Sequence, residues 1–213
     1  MKTDDLVALL AKDAAPVGQR RLPMRIMMIA ALGVVAALGI LVPWLGIRPD
    51  LAEAAGGMTY WTKTVYTLVL GVAGFLLAER LARPGVKNRA GIVVIAIAIL
   101  AVVGIAVAQL ASTPSDQMSA ALMGQTWNKC PWRIVVLSLP GLGLLLWLMR
   151  RFAPTRPMLA GAAAGLLAGG LGATVYGLFC QETSMPFLAI WYSLGVALTS
   201  LAGAIAGSRL LRW

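Results

Sequence analysis

Six long apolar segments alternate with short polar segments along the chain. They run over about 24–46, 60–82, 90–111, 132–152, 157–179 and 187–207. A helix rises about 1.5 Å per residue, so each segment is long enough to cross a hydrocarbon layer about 30 Å thick. The pattern predicts an all-α integral membrane protein, a bundle of six transmembrane helices with short loops (24–213) that follows a polar N-terminal segment (1–23).

The N-terminal segment contains a short amphipathic pattern. Leu6, Leu9 and Leu10 fall on one face of a helix at i, i+3 and i+4, and Asp4 and Asp5 suit the first turn because the helix dipole favours negative charge there. A helix of about ten residues is marginal alone in water. Two interpretations stay open: the segment becomes ordered against a protein partner, or it is a frayed tail that lies on the lipid surface.

The 18 lysine and arginine residues divide unequally between the two sides that six crossings define. Fourteen fall on the side of both termini, whereas the other side has Arg48, Lys63, Lys129 and Arg133. Positive charge concentrates on the cytoplasmic side of membrane proteins, so both termini are predicted to be cytoplasmic. The net charge of +10 then favours contact with anionic lipid. Because these charges lie at helix ends, direct binding of nucleic acid is not expected.

The last two apolar segments carry small residues at helical spacing. The fifth has one at every fourth position and the sixth repeats the pattern less strictly: Gly161, Gly165, Gly169, Ala173 and Gly177, then Gly195, Thr199, Gly203 and Gly207. Such stripes let helix backbones approach closely in lipid, where dispersion drives association. They predict a tight helix pair in preference to a ligand groove. They serve packing within or between chains equally well, so the oligomeric state stays open.

The chemistry available to the chain is narrow. It contains no histidine, which is the usual base and metal ligand of hydrolases, and only two cysteines, Cys130 and Cys180. Both cysteines fall on the side opposite the termini, at neighbouring ends of an expected helical hairpin whose axes are about 8–10 Å apart. A disulfide needs Cα atoms about 4.4–6.8 Å apart, so a structural bridge and a redox- or metal-responsive pair both stay open. Glu182 is a candidate third ligand of a soft-metal site.

No enzymatic activity is expected, and no cofactor beyond a transient soft-metal ion at the two thiols. A transporter or exporter of metals or small molecules, with a structural disulfide, is the alternative. Transporters usually carry ionisable residues at mid-membrane depth, and none of the six segments has one near its centre.

Several motifs resemble one family over the whole chain. These are Met1-Lys2-Thr3-Asp4-Asp5-Leu6, Leu9-Leu10, Ala14-Ala15-Pro16-Val17, Cys180-Gln181-Glu182, Pro186-Phe187, Trp191-Tyr192, Gly195 and Arg209-Leu210-Leu211-Arg212-Trp213. In these motifs the chain resembles the NrsF-type anti-sigma factors. This resemblance implies a bacterial inner-membrane protein that holds an extracytoplasmic-function (ECF) sigma factor of the sigma-F type through its cytoplasmic N-terminus.

The same resemblance implies roles for the candidate residues. Cys130 and Cys180 on the periplasmic side would sense heavy metals or oxidants, with Glu182 beside them. The sigma-binding element would be the segment that contains Asp4, Asp5, Leu6, Leu9 and Leu10.

Overall fold

The computed structural model describes residues 22–82 and 89–212, the side chain of Arg89 excepted. Six long helices are apolar enough to cross a membrane. They are α1 (Leu22–Trp44), α3 (Met58–Leu81), α4 (Arg89–Ala111), α6 (Cys130–Arg150), α7 (Pro157–Tyr176) and α8 (Met185–Leu210). Two short helices, α2 (Leu51–Ala55) and α5 (Met118–Met123), lie in the connections after α1 and α4.

The predicted six-helix membrane architecture is confirmed, since each predicted segment overlaps one long helix. The helix ends differ by a few residues. Cys130 is the first residue of α6 and does not precede it, and α7 ends at Tyr176, so Cys180 lies in a short loop of its own. The predicted amphipathic helix with Asp4, Asp5, Leu6, Leu9 and Leu10 lies outside the described residues.

Helix α7 lies at the centre of the bundle, where it contacts α8, α3, α6 and α1. Its small-residue stripe packs on α8 as predicted. A Cβ atom added at Gly161 would overlap the carbonyl oxygen of Gly203, and one at Gly165 would overlap the carbonyl oxygen of Thr199. Only glycine permits such close backbone contact, so the prediction of a tight helix pair is confirmed.

A second face of α7 packs equally closely on α3, which the sequence did not predict. A Cβ atom at Gly170 would lie 2.5 Å from the backbone nitrogen of Gly71. One turn away, the hydroxyl groups of Thr67 and Thr174 are hydrogen bonded at 2.8 Å. Helices α3, α7 and α8 therefore form a rigid unit whose backbones are in contact.

Candidate functional site

Three connections meet at one end of the bundle, and both cysteines lie there: Cys180 in the third connection and Cys130 at the start of α6. We call this region, formed by residues 45–57, 112–129 and 177–184 with the adjoining helix residues Lys63 and Cys130, the cysteine end. The side chain of Ser184 donates a hydrogen bond to the carbonyl oxygen of Ala121 at 2.5 Å. The amide of Met185 donates to Oε1 of Gln109 at 2.9 Å. Contacts between residues far apart in sequence therefore fix the loop between α7 and α8, which we call the Cys180 loop (residues 177–184).

Two buried cations hold the Cys180 loop. Lys63, on the second turn of α3, is 5% exposed, and its Nζ donates to the carbonyl oxygen of Cys180 at 3.2 Å and also to that of Glu182. Nη1 of Arg48 donates to the same Cys180 oxygen at 3.3 Å. One backbone carbonyl thus accepts hydrogen bonds from two cationic side chains. Charge-assisted hydrogen bonds of this kind are about twice as strong as neutral ones.

Asp50 orients the Arg48 side chain. The guanidinium donates through Nε to one carboxylate oxygen at 2.9 Å and through Nη2 to the other at 2.6 Å. This bidentate pair lowers the pKa of the Asp50 carboxyl from its ordinary value, chiefly because the hydrogen bond from Arg48 favours the ionised form. The backbone amide of Arg48 also donates to the carbonyl oxygen of Leu178 at 3.1 Å. The connection after α1 is therefore attached to the Cys180 loop at two points.

Cys130 and Cys180 are both free thiols, and both are buried. They belong to one extended cluster of buried residues, together with Ile134, Tyr176 and Tyr192, but the two cysteines are not near each other within it, so the predicted pairing is not shown. Cys130 starts α6, where its amide donates to the carbonyl oxygen of Thr126 at 2.8 Å. The sequence left bridged and unbridged thiols open, and the structure shows the unbridged form.

Glu182 connects the Cys180 loop to the segment before α6. Its Oε1 accepts hydrogen bonds from the amide of Gln125 at 2.7 Å and from the hydroxyl of Thr126 at 3.3 Å. Gly124 permits this approach, since a Cβ there would lie 2.7 Å from Oε2 of Glu182. Over residues 22–82 and 89–212, no group of three or more cysteine, aspartate or glutamate side chains could hold a metal ion. Glu182 therefore has a structural role that the sequence did not predict.

Two tyrosine side chains complete the buried part of the site. Tyr176 and Tyr192 are fully buried. Their rings are 5.7 Å apart, and Nζ of Lys63 lies 5.7 Å from the ring centroid of Tyr192.

A cavity of about 510 Å³ opens beside the Cys180 loop. Its lining is a little more polar than apolar and includes Arg48, Gln125, Cys180 and Glu182 as well as Leu45, Ile47 and Phe179. Cys180 contributes to the wall of this cavity and Cys130 does not, although both side chains are buried. The sequence did not predict this difference between the two cysteines.

The sequence also missed the roles of Lys63 and Arg48, which it counted as charges at helix ends. Lys63 lies on the second turn of α3, which begins at Met58, two residues before the predicted start. A lone lysine close to the start of an apolar segment was the only signal available. Hydropathy does not distinguish a lysine that reaches water from one that donates to buried carbonyls.

The fold and the site define a multi-span membrane protein whose buried charged side chains, among the described residues, lie at one end of a glycine-packed helix bundle. The chain belongs to the family described as NrsF, negative regulator of sigma F, whose family model matches residues 10–213. The predicted resemblance is confirmed over all six long helices. This family is a regulatory one and not a class of enzymes.

Two relatives match the chain along its whole length and along their own. The anti-sigma-F factor NrsF of Caulobacter vibrioides (strain NA1000 / CB15N) is 47% identical over 214 residues, which is 100% of both chains. The probable anti-sigma-F factor NrsF of Azospira oryzae is 35% identical over 213 residues, again 100% of both. No solved structure matches the chain.

Proposed function

We propose that the chain is a membrane-bound anti-sigma factor. It holds an ECF sigma factor at the bacterial inner membrane through its cytoplasmic N-terminal segment and releases it when Cys130 and Cys180 sense a heavy metal or an oxidant. The observation that carries the proposal is the full-length similarity, at 47% and 35% identity, to two proteins named as anti-sigma-F factors. The segment with Asp4, Asp5, Leu6, Leu9 and Leu10 is the proposed sigma-binding element.

Co-purification from the host tests this function. The full chain, tagged at its C-terminus and extracted in mild detergent, is expected to carry a sigma factor from untreated cells. The bound sigma factor is expected to fall several-fold after treatment with Cd²⁺ or with a thiol oxidant. Recovery of the chain without any sigma factor, in a membrane fraction that contains the expressed sigma protein, would contradict the proposal.

The exposed charges support the proposed orientation, in which the cysteine end is periplasmic. At this end Arg48 is paired with Asp50 and Lys63 is buried against carbonyl oxygens, whereas Lys129 is exposed and Arg133 is half-buried. Among the described residues, the exposed arginines of the opposite end are Arg25, Arg150, Arg151, Arg156, Arg209 and Arg212. Exposed positive charge is therefore concentrated at the end opposite the cysteines, which favours a cytoplasmic location for that end.

The orientation is tested with single introduced cysteines, because the natural thiols are buried and react slowly. In a Cys130→Ser, Cys180→Ser background, Ser115→Cys lies on an exposed position of the cysteine end and Thr155→Cys on an exposed position of the opposite end. A membrane-impermeant maleimide is expected to label Ser115→Cys in intact spheroplasts, and Thr155→Cys only after lysis. The reverse pattern would place the thiols in the cytoplasm and overturn the sensing proposal.

The burial of the thiols indicates how sensing would affect the fold. A soft-metal ion bound to Cys130 and Cys180, or a bridge between them, has to displace groups in a closely packed cluster, because protein interiors contain few voids. Cys180 would move with its loop and Cys130 with the start of α6. Both α6 and α7 pack on α8. A displacement at the cysteine end is therefore expected to move these packed helices together at the cytoplasmic end.

Thermodynamic linkage determines how much the two thiol states must differ in their affinity for the sigma factor. A signal releases the sigma factor only if the two thiol states differ in their affinity for it. A switch from 1:99 to 99:1 needs about 5.5 kcal/mol of differential free energy. A disulfide typically contributes about 2–4 kcal/mol, so a bridge supplies much of this but not all.

The structure offers no observation that favours the transporter alternative. Among the described residues, the buried charged side chains are Arg48 and Lys63, and both lie at the cysteine end. Transport usually requires such groups near the middle of the membrane.

A further inference from the structure

Lys63 is the residue at the cysteine end whose burial is hardest to explain by packing alone. Its side chain is 5% exposed within a helix that spans the membrane. It lies on the second turn of this helix, near its end, and a buried ammonium there is costly unless hydrogen bonds compensate it. Its ammonium contacts no carboxylate in the described residues. Its hydrogen-bond acceptors are the carbonyl oxygens of Cys180 and Glu182, two positions of the Cys180 loop.

The two sides of this contact differ in rigidity. The backbone of α3 is fixed further along the helix than Lys63, where Gly71 and Gly74 pack directly on the backbone of α7. The Cys180 loop has left the α7 helix, and its carbonyl groups at Cys180 and Glu182 are bonded to the side chains of Lys63 and Arg48. Because the side chains of Glu182 and Ser184 also hold this loop, loss of Lys63 is expected to loosen it locally at Cys180, with the helix of Lys63 as the fixed side.

We propose that Lys63 is a positioning residue for Cys180: its ammonium clamps the Cys180 loop shut and so limits the rate at which thiol reagents and soft metals reach the sulfur from the cavity beside the loop. Arg48 assists at one of the two carbonyls. This inference deepens the proposed function, and its importance for sensing rests on that function. The clamp itself is a property of the loop and is measurable without any sigma factor.

Replacement by methionine removes the clamp without removing the side-chain volume. Lys63→Met also removes a buried cation from a membrane helix, which offsets part of the cost of leaving its carbonyl acceptors without this donor. The carbonyl of Glu182 loses its cationic donor, and that of Cys180 keeps only Arg48. Each lost charge-assisted bond shifts the opening equilibrium of the loop by about tenfold or more.

The experiment measures the second-order rate of maleimide modification of Cys180 in the purified full chain with Cys130→Ser. Lys63→Met is expected to raise this rate about tenfold or more. Lys63→Arg keeps a cationic donor and is expected to restore a rate within about threefold of the parent, given typical context dependence of such contributions. Thr64→Val is the matched control, because its neighbouring hydroxyl bonds only the carbonyl of Tyr60 within the same helix, and it is expected to leave the rate unchanged.

Thermal stability in detergent is measured in parallel. It distinguishes local opening of the Cys180 loop from destabilisation of the whole fold. A faster rate at unchanged thermal stability, reversed by arginine, supports the inference. An unchanged rate in Lys63→Met overturns it, and so does a rise that Thr64→Val reproduces or that arginine does not reverse. None of these results depends on sigma binding. Failure of the clamp is therefore distinguishable from failure of the proposed function, which co-purification tests.

Discussion

Removal of residues 1–15 is expected to abolish retention of the sigma factor and to leave the six membrane helices inserted. The deleted segment contains the proposed sigma-binding residues, whereas α1 begins only at Leu22. A helix of about ten residues gains most of its order from its partner, so removing its apolar face removes the interface itself. Co-purification measures the retained sigma factor, and the membrane fraction measures insertion. Loss of at least about a hundredfold in affinity is expected, since a few hot-spot residues at about 2 kcal/mol or more each dominate such interfaces.

Point variants distinguish the amphipathic face from the segment as a whole. Leu9→Asp places a charge on the apolar face and is expected to weaken retention nearly as much as the deletion does. Ala8→Asp places the same charge on the opposite helical face and is expected to have little effect. Equal loss in both variants would contradict binding through Leu6, Leu9 and Leu10. Unchanged retention in the deletion would move the sigma site to the cytoplasmic loops.

The helical architecture was predictable from local properties of the sequence. The length and hydropathy of each segment indicate that it crosses the membrane, and both properties depend only on residues that are close together in the sequence. The small-residue stripe of α7 was also informative. Gly161 and Gly165 recur at the helical period, so the close contact with α8 followed from the spacing alone. The second contact face of α7 was not predicted, although the α3 residues in it, Thr67, Gly71 and Gly74, also recur at helical spacing and were the available signal.

The candidate site was predictable only in part. The positions of Cys130 and Cys180 at one end of the bundle followed from the order of the spans. The hydrogen bonds that hold the Cys180 loop did not follow, because Lys63 and Cys180 are 117 positions apart and no local pattern connects them. Glu182 illustrates the same limit. Its carboxylate was a reasonable third metal ligand by residue type, and the fold instead uses it to bond the backbone of Gln125.

The packing of α7 also determines which movements can carry a signal. Its backbone contacts with α3 and α8 leave little space for gradual deformation, so the proposed signal from the cysteine end is expected to travel as rigid movement of whole helices. Helix α4 is the least buried of the six spans, and α7 is the most buried. A route through α7 and α8 is therefore favoured over one through α4.

Replacement of both cysteines is expected to abolish induction while preserving repression. The variant Cys130→Ser, Cys180→Ser keeps the size of each side chain but lacks the soft sulfur that binds metals such as Cd²⁺ and the thiol that oxidants bridge. Allosteric coupling typically changes affinity by about 5–150-fold. The ratio of sigma affinities without and with the stimulus is expected to fall from within that range to about one. Sigma retention, measured by co-purification with and without Cd²⁺ or oxidant, checks this.

The single variants determine which chemistry operates. A bridge, or a metal held by both sulfurs, requires both thiols, so Cys130→Ser and Cys180→Ser are each expected to lose the response completely. If modification of Cys180 alone were sufficient, the Cys130→Ser variant would still respond to the stimulus and the Cys180→Ser variant would not. Because serine places a hydroxyl in a buried site at a cost of about 1–3 kcal/mol, the alanine variants serve as a second pair in which folding is less affected. If a double variant, with serine or alanine at both positions, still releases its sigma factor on treatment, these thiols are not the sensor. The proposed function would then be reduced to retention of the sigma factor by the N-terminal segment.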